Sequence, residues 1–120
     1  MVEYQQQVLD DVFSAVADPT RRAILENLAR RPATITEIAA PFPVSLNAIS
    51  KHIMVLERAG LLQREIRGRE HLCRVVPRPL QEATDWLERY QRFWEERLDA
   101  LERYVAKKMK AKRKERMHAH

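Results

Sequence analysis

Ser45, Asn47, Ser50 and Lys51 sit close together in the chain, with His52 directly after them. These are the side chains that hydrogen-bond nucleic acid: Asn can be bidentate to adenine, Ser donates or accepts, and Lys reaches guanine or phosphate. A second basic pair, Arg67 and Arg69, flanks Gly68 further along. Covalent chemistry has no comparable set. There is no Gly-rich phosphate loop and no supported Ser/His/Asp or Cys/His arrangement. The paired acids Glu95 and Glu96 fall on a solvated helix face. The chain reads as a binding protein, not an enzyme, and no cofactor is implied.

The polar cluster needs a helix to present it. On a wheel of about 100° per residue, Ile49, Ile53 and Leu56 share one face, with Ala48 and His52 at its edge. Asn47, Ser50, Lys51, Met54 and Arg58 line the opposite face. Ser45 suits the N-cap and Gly60 the position just past the end. The apolar side anchors this helix while a front end of small polar residues stays free for a flat polar partner. His52 is open to two readings, a packed hydrogen-bonded histidine or a DNA contact, and is kept in the candidate set.

Three helices precede it. The first runs from about Tyr4 to Val16, with Val8, Leu9, Val12, Phe13 and Val16 at helical spacing. Asp18 caps a second, with Pro19 at its first position and an end near Arg31-Pro32. Thr34 or Thr36 begins a third, closed by Pro41 and Pro43. A short helix, a turn and a second helix form a helix-turn-helix. Two strands follow, LLQREI and HLCRVV, joined by RGRE with Gly68 as the turn residue. Arginines held on that protruding tip suit a phosphate backbone or a narrow minor groove. The fold class expected is mainly α with one small β-hairpin, a winged helix-turn-helix with long N- and C-terminal dimerisation helices. Residues 1–106 form that domain, and residues 107–120 a basic tail, frayed or disordered.

Charge supports this division. The chain carries a formal net charge of +5, but residues 107–116 alone hold seven basic side chains and one acid. Outside that run the positive charge gathers in residues 45–78, with seven cations against Glu57, Glu65 and Glu70. No apolar run is long enough to span a membrane, and the N-terminus lacks the pattern of a signal peptide. A single cysteine, Cys73, rules out an internal disulfide framework and suits a reducing cytoplasm.

The last helix starts near Pro79 and is expected to end at about Val105. Leu87, Tyr90, Trp94, Leu98, Leu101 and Val105 recur at near-heptad spacing along it, after Ala83. Both tryptophans lie here. A stripe of this size calls for a second copy of the chain, with Val8 and Val12 of the first helix joining the interface; the alternative is that the helix folds back over its own domain. Two copies would hold their recognition helices about one DNA turn (~34 Å) apart, which calls for a pseudo-palindromic operator.

The runs FSAVADPTRRAILENLA, TITEIAAPFPVSLNAISKHIMVLERAGLL and REIRGRE resemble the bacterial ArsR-type (arsenical-resistance-repressor-like) winged-helix regulators. The resemblance covers residues 8–105, and the tail helix looks like the metal-independent branch. It implies a homodimeric DNA-binding repressor with the fourth helix in the major groove and the hairpin as wing. Ser45, Ser50, Lys51 and His52 match family positions near DNA, whereas Leu46 departs from a position often polar. Metal-sensing members of the family carry a cysteine pair on the third helix or His with carboxylates on the last. Here the third helix has Ile38, Ala39 and Ala40, and the last, from Pro79 to about Val105, has acids but no histidine. No metal site is expected, His118 and His120 being a weak signal. The alternative is a winged-helix protein-interaction module that binds nucleic acid non-specifically through its tail. A small-molecule or protein effector is left open.

Overall fold

The computed structural model describes residues 2–118. The side chain of His118, and His120 entirely, lie outside the described residues, so the terminal histidine pair is not addressed. The elements run α1 (Val2–Val16), α2 (Pro19–Arg30), β1 (Ala33–Thr34), α3 (Ile35–Ala39), α4 (Leu46–Arg58), β2 (Leu62–Arg67), β3 (Glu70–Val75) and α5 (Arg78–His118). Contacts divide the chain into two units, Met1–Thr84 and Asp85–His120, where the sequence suggests a boundary at 106.

Helices α2, α3 and α4 each start where a side chain satisfies a free N–H group. Asp18 Oδ2 accepts from the Arg21 N–H at 3.0 Å, with Pro19 opening α2. Thr34 and Glu37 form a reciprocal capping box on α3. Ser45 Oγ accepts from the Ala48 N–H at 3.1 Å to start α4. At the other end of α4 the chain turns at Gly60, whose φ of 76° lies in the left-handed region that costs other residues a steric clash.

The core gathers Ile24, Leu25 and Leu28 of α2, Ile38 of α3, Ile49, Ile53 and Leu56 of α4, and Leu61, Leu62 and Cys73 beside them. Each fully buried aliphatic side chain contributes about 1.5–3 kcal/mol. Ala83 and Leu80, in the first turns of α5, pack on the same core. Val12 also belongs there, at 1 % exposed. That corrects its assignment to a dimer interface, because α1 turns Val12 and Ala15 into the chain's own interior. Val8 is half-buried against the core.

The sheet has three antiparallel strands in the order β1-β3-β2, one more than the sequence suggests. Ala33 pairs with Cys73 and Thr34 with Leu72. A strand of two residues is too short for alternation to reveal it. In the hairpin, Arg64 pairs with Cys73 and Arg67 with Glu70. Cys73 is a buried strand residue, and burial pushes its thiol pKa up, leaving it a packing group.

The second unit is the remainder of α5. It stays helical through residues 107–116 to His118, beyond the expected end near Val105. Lys, Arg, Ala, Met and Glu are strong helix formers, and no Gly or Pro follows Pro79 to interrupt them. Trp86, Tyr90, Phe93 and Trp94 form a ladder of ring contacts along it, beginning with Trp86 and Tyr90 stacked at 4.9 Å.

Candidate nucleic-acid interface

The α4 faces fall where the sequence puts them. Ile49, Ile53 and Leu56 are 0 % exposed, while Ser45, Asn47, Lys51, Met54 and Arg58 are exposed. Ser50 is half-buried. Asn47 and Lys51 make no hydrogen bond or ion pair among the described residues, so both side chains are available to a partner. Leu46, at 53 % exposed, stands at the front of the same helix and presents an apolar surface there. The Oγ of Ser45 is already engaged as the cap.

His52 does not share that freedom. Its Nδ1 lies 3.2 Å from Arg21 NH1 and 3.9 Å from Asp18 Oδ2, turned toward the junction of α1 and α2. Arg21 also donates to Ala15 O at 2.6 Å and Ser14 O at 3.1 Å, and Arg22 to Val16 O at 2.7 Å. The two arginines therefore satisfy the last carbonyls of α1, which a helix end leaves unpaired. Through His52, Arg21 also ties that helix end to the middle of α4. Of the two readings of His52, the packed and hydrogen-bonded one describes its position. The Asp18 carboxyl is held below the usual carboxylate range by the Arg21 N–H and then by the nearby His52 and Arg21 side chains.

The wing is built by a two-residue loop. Gly68, with φ 61°, occupies its first position, and nothing crowds it within 4 Å. Glycine there matches a type II′ hairpin turn, whose twist suits the flanking strands. Arg69 is exposed and makes no ion pair among the described residues. Arg67 instead meets Glu65 at 3.3 Å, and Glu65 is shared with Arg74 at 3.7 Å. Exposed pairs of this kind are worth about 0–1 kcal/mol, so Arg67 can exchange Glu65 for a phosphate at little cost.

Arg64 lies outside the set of site residues the sequence points to. It joins the wing to α4: NH2 donates to Glu57 Oε1 at 3.4 Å, and NH1 lies 3.2 Å from His71 Nδ1. The sequence carried no signal for it, because its partners come from a helix and from the opposite strand. The outcome is a shared cleft of about 600 Å³, lined by Thr36, Leu46 and Ser50 on one side and Arg64, Arg69 and His71 on the other. Helix front and wing tip thus border one concave surface, on which Arg64 and Arg69 stand beside the acids Glu37 and Glu70. Among the described residues no group of three or more His, Cys, Asp or Glu side chains could hold a metal.

Sequence comparison agrees with this geometry. A helix-turn-helix domain family matches residues 16–65. The HTH-type transcriptional regulator Rv2034 of Mycobacterium tuberculosis is 37% identical over 81 residues, covering 68% of this chain and 76% of that protein. The transcriptional repressor SdpR of Bacillus subtilis is 32% identical over 79 residues, covering 66% of this chain and 88% of that protein. A crystal structure of an ArsR family transcriptional regulator superposes with a TM-score of 0.71 at 40% identity, covering 75% of this chain and 93% of that one.

Proposed function

The chain belongs to the ArsR-type winged helix-turn-helix transcriptional regulators, and we propose that it acts as a homodimeric repressor reading a specific, pseudo-palindromic operator. Its DNA-binding helix-turn-helix is α3 and α4, and its wing is the β2–β3 hairpin. One observation carries the reading: α4 buries Ile49, Ile53 and Leu56 completely, yet leaves Asn47 and Lys51 exposed and unpaired among the described residues. A helix entering the major groove needs that combination, with its N-terminal residues against base edges. Asn47 suits adenine, Lys51 guanine or phosphate, and Leu46 a thymine methyl. Arg67 and Arg69 take the flanking backbone or minor groove from the wing.

The homodimer is supported by α5. Leu87, Tyr90, Trp94, Leu98, Leu101 and Val105 are each 45–55% exposed in the single chain, a continuous apolar stripe that a second copy would cover. Repression is the activity named for the Bacillus subtilis relative. Metal sensing through the family's known sites is not part of the proposal, because α3 offers only Ile38 and Ala39 where one sensing type has its cysteines.

Capture of genomic fragments by the purified protein, followed by sequencing, tests the proposal. The expected result is an enriched two-fold-symmetric site with half-site centres about 10 base pairs, or a small multiple of that, apart. Fragments sharing no motif would overturn it in favour of non-specific binding.

A further inference from the structure

We propose that residues 107–116, the basic end of α5, form a second and sequence-independent binding surface for duplex DNA. The proposal does not depend on α4 reading an operator.

Ten consecutive residues here carry Lys107, Lys108, Lys110, Lys112, Arg113, Lys114 and Arg116 against one acid, Glu115. All ten are helical and exposed. At about 100° per residue, Lys107, Lys108, Lys110 and Arg113 fall in four different quadrants of the helix. The cations therefore surround the axis instead of forming one face. Met109 and Ala111 do not gather into an apolar stripe opposite them, which an interfacial membrane helix would require. The near-heptad seam also ends with Val105, so a coiled-coil partner has no apolar seam to follow here. The surface fits a partner that offers negative charge on more than one side, as the two phosphate walls of a DNA groove do.

Magnitudes agree. Ten helical residues span ~15 Å, and duplex DNA carries one charge per ~1.7 Å, or roughly nine phosphates over that length. Seven cations are a close match in density. The free helix is also under electrostatic stress. Lys108 and Lys112, Lys110 and Lys114, and Lys112 and Arg116 are like-charge neighbours four residues apart, and each such pair disfavours the helix. A polyanion relieves that repulsion. The run has no Asn or Gln to pair with adenine, and its cations are spread around the axis instead of aligned along one face as base readout requires, so contacts go to phosphate.

The test compares the full chain with a variant carrying Lys→Gln at 107, 108, 110, 112 and 114, and with one carrying Lys→Arg at the same positions. Glutamine keeps the helix propensity and removes the charge. The probe is a fluorescein-labelled duplex of about 40 base pairs and random sequence, titrated by anisotropy at salt from about 50 to about 200 mM. The glutamine variant should bind at least about tenfold more weakly at the lower salt. Its slope of log affinity against log salt should be shallower by about 4, near 0.9 per lost phosphate contact. The arginine variant should keep both. Unchanged affinity and slope in the glutamine variant would overturn the proposal. So would a change in its mass by light scattering at unchanged DNA affinity, which would assign the run to self-association. Loss of binding to phosphatidylserine vesicles with duplex binding intact would overturn it in favour of a membrane surface.

Discussion

Replacing Arg21 by Met keeps an apolar stem and removes the guanidinium, and the structure sets the consequence. Three interactions go: the 2.6 Å bond to Ala15 O, the 3.1 Å bond to Ser14 O and the 3.2 Å contact with His52 Nδ1. Hydrogen bonds from a charged donor are worth about 1.5–3 kcal/mol each when shielded and much less when exposed. The Ser14 bond is exposed, and its carbonyl can turn to water. Ala15 is 0 % exposed, so its carbonyl loses its partner without an easy substitute. The net loss is about 2–3 kcal/mol. For a unit of this size that lowers the melting temperature by roughly 10–20 °C, at 4–8 °C per kcal/mol. Urea denaturation followed by circular dichroism measures the first quantity and thermal denaturation the second. A double-mutant cycle with His52→Gln should give a coupling of at least about 0.5 kcal/mol, since the two side chains share one contact. An Arg21→Met loss below about 0.5 kcal/mol, with no coupling, would refute the view that this arginine holds α1 to the recognition helix.

Other expectations follow from single features. The Asp18 and Glu37 carboxyls are both held below their ordinary pKa, Asp18 chiefly by the Arg21 N–H and Glu37 chiefly by the Thr34 N–H. A lowered folded-state value means the stabilisation is present above the ordinary carboxylate range and is lost as pH falls below about 4. Urea midpoints of wild type and Asp18→Asn should therefore converge on acidification, and a gap constant with pH would contradict this. Gly68→Ala meets no steric neighbour but must hold φ near 61°, so it should cost about 1–2 kcal/mol through backbone alone, read by urea denaturation. Leu98→Glu alters a residue 54 % exposed in the single chain, so the protomer should stay folded while light scattering reports half the wild-type mass. A wild-type monomer at micromolar concentration, or a Leu98→Glu dimer, would contradict the α5 interface.

The recognition helix was legible because every signal for it is local. Ser45 caps it, Gly60 stops it, and three aliphatics set its buried face. What escaped sequence reading depends on residues distant in the chain. β1 exists only because Ala33 and Thr34 meet β3 across the sheet. Arg64 finds Glu57 and His71 through the fold. His52 finds Arg21, 31 positions earlier. A local clue to Arg21 and Arg22 was present: they follow an Asp-Pro cap and come only five and six residues after the preceding helix's end at Val16, where free carbonyls must be satisfied. Val12 was misassigned because helical spacing identifies an apolar face without saying what covers it. The helical run past Val105 went the other way, with propensity prevailing over the like-charge repulsion that argued for fraying.

The central claim is that the bare face of α4 reads base sequence. It is tested most directly by measuring wild type and Lys51→Ala against the captured operator and against a random duplex at one fixed salt concentration. Loss of a base contact worth about 1–3 kcal/mol predicts that the ratio of the two affinities falls about tenfold in the variant, mostly through the operator. If both affinities fall by the same factor, or neither changes, Lys51 touches only backbone or nothing, and the claim is contradicted.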